Sequence, residues 1–162
     1  MPRLRPATDA DSAGVIALIA RVYAEYEGCV LDVDREEPDL RAPASRFDRF
    51  WVVDDGGAIA GCGACAAHPE FLEMKKVYLD AALRGQGWGR RLIECVEARA
   101  FELRLPRIEL WSDTRFATAH AVYERLGYAR TGRTRDLHDL SRSTEYHFVK
   151  AMAAASRGRS AG

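Results

Sequence analysis

Between Val15 and Tyr26 the apolar residues Val15, Ile16, Leu18, Ile19, Val22, Tyr23 and Tyr26 recur every three or four positions, which gathers them on one face of a helix. Thr8 with Asp11 three positions later supplies a capping pair for it, and Gly28 a stop. A second stripe, Leu92, Ile93, Val96, Ala100 and Leu103, predicts a helix from about Trp88 to about Arg104, ended by Pro106. The apolar runs Arg49 to Val53 and Ala58 to Ala64 flank Asp54-Asp55-Gly56-Gly57 and predict an antiparallel hairpin. A third strand over Phe71 to Asp80 follows the turn at His68-Pro69. Leu4 to Thr8 and Arg107 to Trp111 read as further strands, and Ala117 to Leu126 as a short helix with Gly127 placed for its C-terminal cap. Tyr128 to Asp139 and Thr144 to Met152 read as two closing strands. Cys29 to Arg46 holds Pro38, Pro43 and five acidic residues without a clear period; it fits either a lid that touches substrate or a solvated connector.

The order is strand, helix, irregular segment, three strands, helix, strand, helix, two strands: a single α/β domain over residues 1–152, with a disordered tail over 153–162. Lys plus Arg equals Asp plus Glu at 24 each, so no global field favours nucleic acid or an anionic membrane. The N-terminal residues lack the apolar core of a secretory signal, and the longest uncharged run, Gly56 to Pro69, is too short to cross a bilayer. A cytoplasmic protein is expected. Cys62 and Cys65 have metal-pair spacing, but residues three apart on a strand point to opposite faces, so reduced core cysteines and no metal are expected.

Leu83-Arg84-Gly85-Gln86-Gly87-Trp88-Gly89-Arg90-Arg91 sits between a strand and a helix start. Alternate glycines let successive backbone N–H groups approach an anion, and a helix N-terminus adds unpaired donors, so a phosphorylated ligand is expected here. A dinucleotide fold would carry its glycine loop after the first strand, and a P-loop would add Lys-Ser/Thr. Neither applies.

Arg84-Gly-Gln-Gly87-Trp-Gly89 resembles the acetyl-CoA motif of the GNAT superfamily of N-acetyltransferases, and Tyr123-Glu-Arg-Leu-Gly127-Tyr128 resembles that family's second signature. The resemblance implies a mixed, mostly antiparallel central sheet of about seven strands flanked by helices, with its central strands splayed between Glu73–Leu79 and Arg107–Trp111. It implies that the pantetheine arm of acetyl-CoA bonds the backbone of Val77 and Leu79. The diphosphate would lie on the loop of Arg84, Gly85, Gln86, Gly87, Trp88, Gly89 and Arg90, with Arg90 or Arg91 reaching the terminal phosphate.

Direct transfer to a primary amine, on a small molecule or a peptide, is the implied reaction. Tyr123 matches the tyrosine that protonates the departing thiolate, and Glu73 matches a glutamate that takes the amine's proton, on the strand face of Val77 and Leu79. Glu109, His120 and His138 are rivals for the base. Phe116 stands where many relatives carry an asparagine that contacts the cofactor. A homodimer is compatible with the resemblance. The alternatives are a non-catalytic acyl-CoA-binding regulatory module and an acyl-carrying Cys95 or Cys62, the latter disfavoured by apolar surroundings.

Overall fold

The computed structural model describes residues 1–153; the expected tail over 153–162 falls almost wholly outside the described residues. The elements are β1 (Arg3–Pro6), α1 (Ser12–Tyr23), α2 (Val33–Glu36), α3 (Pro43–Arg46), β2 (Arg49–Asp55), β3 (Ala58–Ala67), β4 (Leu72–Leu79), α4 (Trp88–Glu102), β5 (Arg107–Asp113), α5 (Ala117–Arg125), β6 (Ala129–Asp136) and β7 (Thr144–Ala151). Their seven strands form one sheet in the order β1-β2-β3-β4-β5-β7-β6. Every neighbouring pair is antiparallel except β4 with β5. No helix among the described residues is long and apolar enough to cross a membrane.

The two helical stripes cover opposite faces of this sheet. Val15, Leu18 and Ile19 of α1 pack with Val52, Cys62 and Ala64 on one face. Ile93, Val96 and Ala100 of α4 join Tyr123 of α5 against Leu72, Met74, Ile108 and Phe148 on the other. Each such fully buried aliphatic side chain is worth about 1.5–3 kcal/mol over leaving it exposed. Cys62 and Cys65 fall into these two opposite clusters, as their odd spacing requires, and burial pushes both thiols up to about 12. Arg99 clamps α4 to the segment before β2 by a two-pronged pair with Asp48 (2.8 and 2.9 Å).

The first helix is shorter than its apolar stripe. A 3-10 turn at Asp9–Asp11 precedes it, with Asp11 accepting from the Thr8 N–H at 2.8 Å, and α1 ends at Tyr23 rather than at Gly28. Tyr26 packs as part of the following turns, where side-chain period alone cannot distinguish a helix from a coil that folds back on the same core. The segment after Cys29 contains two one-turn helices and a 3-10 turn at Pro38–Arg41, seated by Leu40, which is fully buried.

Gly14 lies where α1 crosses β3. A Cβ there would sit 2.6 Å from Ile59 Cγ1 and 3.3 Å from Ile59 Cβ. Alanine would gain up to about 1 kcal/mol of helix propensity, but overpacking a β-branched neighbour costs about 1–3 kcal/mol. Gly14→Ala is therefore expected to lower stability, seen in urea titration as a lower midpoint at unchanged slope.

Candidate active site

The parallel pair β4/β5 is matched only at Leu72↔Ile108 and Glu73↔Glu109. Beyond Glu73 the strands part, β4 staying with β3 and β5 with β7, so the facing edge of β4 keeps unpaired backbone groups. A β-bulge accompanies the split. Cys62 pairs with Tyr78 but Ala64 with Lys75, so Gly63 alone faces both Lys76 and Val77. Lys76 takes a left-handed φ of 56°, a conformation that costs a non-glycine residue about 1–2 kcal/mol. The Cys62 thiol donates to its carbonyl at 3.0 Å, and its ammonium pairs with Glu37 after α2.

This bulge overturns one expectation. Val77 and Leu79 pack toward α4, whereas Glu73 lies between Leu72 and Met74, which themselves face α4, and so points the other way. The extra residue reverses the alternation, and Glu73 does not share a face with Val77 and Leu79.

Two cavities adjoin the split, with a constriction of about 60 Å³ between them. The first, about 630 Å³, is bordered by Val77 and Leu79, by the glycine loop and by α5. The second, about 570 Å³, lies toward the irregular segment and the β6–β7 connection, and Glu73 and His138 line it. Tyr78 and Phe116, packed edge to face at 6.2 Å, border all three spaces.

Along the first cavity the glycine loop takes the form its sequence requires. Gly85 and Gly87 have φ of 76° and 86°, and a Cβ on either would meet nothing within 4 Å, which leaves room for a ligand. The first bond inside α4 runs from the Arg91 N–H to the Gly87 carbonyl, and among the described residues no side chain caps the helix. The N–H groups of Trp88, Gly89 and Arg90 therefore remain free, with the helix dipole behind them.

The charged residues of the loop are occupied. Arg84 binds Glu25 Oε2 at 2.6 Å and the Leu79 carbonyl at 3.0 Å, which ties the loop to the end of α1. Gln86 donates to the Ala82 carbonyl and does not border the cavity with its neighbours. Arg90 pairs with Glu94 along the helix, and Arg91 lies over Trp88 at 4.4 Å. Thr118 and Arg125 of α5 also border this cavity. Thr118 is a hydroxyl close to Phe116 in the sequence and is open to a reading as a substitute for the missing asparagine, whereas Arg125 carries no assigned role and reaches the cavity through the packing of α5.

Tyr123 borders the first cavity and the constriction, and its hydroxyl makes no hydrogen bond to another described residue. Burial raises its phenol well above the ordinary value, so it stays protonated. Among the rivals, Glu109 is held by Arg107 and His147, each at 2.7 Å. His120 is buried against Tyr146 and Phe148, bonds Ser112 at 3.0 Å, and is pushed by burial toward the neutral form. Neither borders these cavities. Phe116 packs among Tyr23, Tyr26 and Tyr78 in place of an amide side chain. Among the described residues no cluster of His, Cys, Asp or Glu is arranged to hold a metal ion.

A split sheet with a glycine-loop helix start on one side defines an acyltransferase-like architecture, and comparison with known proteins gives the family. The family model described as "Acetyltransferase (GNAT) family" matches residues 18–128, and the chain belongs to that family. It is 34% identical over 96 residues to an "IAA acetyltransferase" of Azospirillum brasilense, a match covering 58% of this chain and 63% of that protein, less than two thirds of its length. It is 28% identical over 137 residues to the uncharacterized N-acetyltransferase YjgM of Escherichia coli, covering 78% and 81% of the two chains. A GNAT-family acetyltransferase structure from Staphylococcus aureus superposes with a TM-score of 0.81 at 16% identity, covering 94% of this chain and all of that one. The yncA protein of Salmonella typhimurium, solved with its cofactor acetyl-CoA, gives 0.71 at 14% identity, covering 94% and 95%.

The far end of the split is pinned by Asp113. Burial alone would raise its carboxyl, but the two-pronged bond from Arg115 (2.9 Å on each oxygen) outweighs it and holds the group below the usual carboxylate range. Arg115 also donates to the Ser141 carbonyl, so the pair ties β5 to the β6–β7 connection. A depressed carboxyl stabilises fully above its unfolded value and loses that contribution as pH falls through its folded one. Arg115→Met is expected to cost about 1–3 kcal/mol at pH 7, with the deficit shrinking as pH falls and the unpaired Asp113 carboxyl, raised by burial, takes up a proton, measured by urea unfolding across pH.

Proposed function

We propose that the protein transfers the acetyl group of acetyl-CoA to a primary amine by direct attack within a ternary complex. The observation that carries this reading is the division of the split: an anion-ready helix start and Tyr123 on one side, and Glu73 on the other. The place of Glu73 on the second cavity supports it, since a base is needed on the side where the amine arrives.

Acetyl-CoA supplies the activated acyl group as a thioester. Gly85 and Gly87 leave space for its diphosphate, and the N–H groups of Trp88, Gly89 and Arg90 are free to hold it. Val77 and Leu79, on the unpaired stretch of β4, orient the pantetheine amides by their backbone. Glu73 takes the proton the attacking ammonium must shed, through a water molecule, and leaves a neutral amine whose lone pair forms the new N–C bond. As the C–S bond breaks, the Tyr123 hydroxyl gives its proton to the departing sulfur, and the second proton that the nitrogen sheds on becoming an amide restores the phenol. Burial keeps the phenol protonated until that moment.

Acetyl-CoA turnover should be followed by thiol release across a panel of amines, with CoA affinity measured by calorimetry. Tyr123→Phe is expected to lower kcat about 100-fold or more with little change in KM for acetyl-CoA; an unchanged kcat removes Tyr123 as the acid. Gly87→Val forces a branched residue into a left-handed φ and fills the cradle, so CoA binding should be lost while circular dichroism stays native. Tight CoA binding by the unaltered protein with no turnover on any amine would instead identify a non-catalytic acyl-CoA-binding module.

A further inference from the structure

The second cavity carries information about the acceptor that the glycine loop does not. Its charges are strongly asymmetric, although the whole chain is balanced. Three of its carboxylates already face a cation: Glu37 meets Lys76, Asp113 meets Arg115, and Glu145 meets Arg135. Four others do not. Glu36 accepts from the Leu140 N–H at 3.2 Å, Asp139 from the N–H and hydroxyl of Ser143, and Glu73 shares a hydrogen bond with His68. Asp32 caps α2 through the Arg35 N–H and meets the exposed Arg35 side chain only at 4.0 Å. Against these four the cavity sets Lys75, which has no ion-pair partner among the described residues, and His138.

A second observation points the same way. Glu37 Oε2 is the buried side-chain polar atom that lacks a hydrogen-bond partner among the described residues, while Lys76 occupies its other oxygen. A carboxylate oxygen shielded from water without a donor is costly, and a donor arriving from the cavity that Glu37 lines would relieve it.

The reacting nitrogen cannot be what this field serves. It must be neutral when it attacks, and surrounding carboxylates make its ammonium harder to deprotonate. The excess negative charge is useful only toward a cation that stays charged through the reaction. Resting on the acetyltransferase reading above, we infer that the acceptor is a small amine carrying a second, non-reacting ammonium group, held by Asp32, Glu36, Glu37 and Asp139 while its other nitrogen faces Glu73. The positively charged end is thus a binding handle, and it should act on KM rather than on kcat.

Thiol release from acetyl-CoA should be compared with diaminobutane, butylamine, L-aspartate and a short lysine-containing peptide as acceptors. Diaminobutane is expected to give the highest kcat/KM, at least tenfold above butylamine, with an advantage that shrinks as salt is raised. Asp32→Asn with Glu36→Gln removes two charges while preserving both local hydrogen bonds. This pair should raise KM for diaminobutane about tenfold, leave its kcat unchanged, and leave butylamine unaffected. If butylamine or aspartate equals diaminobutane, or if the double variant changes neither its KM nor the salt dependence, the inference is overturned while the acetyltransferase reading stands. Preference for the peptide would overturn the small-molecule assignment. If no amine accelerates thiol release while acetyl-CoA binds, the underlying reading falls instead.

Discussion

The parting of β4 from β5 is the constraint on which the rest of the site depends. A parallel pair matched at two positions and then abandoned would expose backbone groups to no purpose in an ordinary sheet. Here both strands remain anchored, β4 to β3 and β5 to β7, so the gap is held open by the sheet itself rather than by a mobile loop. The bulge at Lys76 works with the split. It turns the end of β4, sends Val77 and Leu79 toward α4, and leaves Glu73 on the other side.

From that geometry the chemistry separates into two compartments with a narrow passage between them. Tyr78 and Phe116 stand at the passage, and Tyr123 opens onto it. The glycine-loop side is built from backbone: N–H groups at the start of α4 with no partner among the described residues, and glycines that leave space. The other side is built from side chains, in which carboxylates outnumber cations, contributed by segments far apart in the chain. A backbone site suits a ligand part shared by a whole family, whereas a side-chain site can change its selectivity by substitution without disturbing the sheet. Family membership therefore speaks to the first compartment more directly than to the second.

Long-range ion pairs hold the two compartments in register. Arg84 ties the glycine loop to Glu25 at the end of α1, and Lys76 ties the bulge to Glu37 after α2. Arg115 ties the end of β5 to the β6–β7 connection through Asp113 and Ser141. The arginine of the glycine motif thus serves as a brace for its loop. The irregular segment after Cys29, read from its sequence as either a lid or a connector, supplies Asp32, Glu36 and Glu37 to the second cavity.

The helical stripes of α1 and α4, the hairpin at Gly56-Gly57 and the glycine loop were legible in the chain, because each rests on contacts among near neighbours or on the conformational freedom of glycine. The opposed faces of Cys62 and Cys65 followed from strand period in the same way. The reversal at Lys76 did leave a trace: Leu72-Glu73-Met74-Lys75 alternates strictly, then Lys76 interrupts before Val77-Tyr78-Leu79 resumes one residue late. What that interruption means is decided only by pairing, since a lysine at positive φ has no local signature and is imposed by the register of β3 against β4. The face of Glu73, the burial of His120 and the gathering of distant carboxylates around one cavity belong to the same class. They depend on which strands meet and where they part, and that is a property of the assembled sheet, not of any window of the sequence.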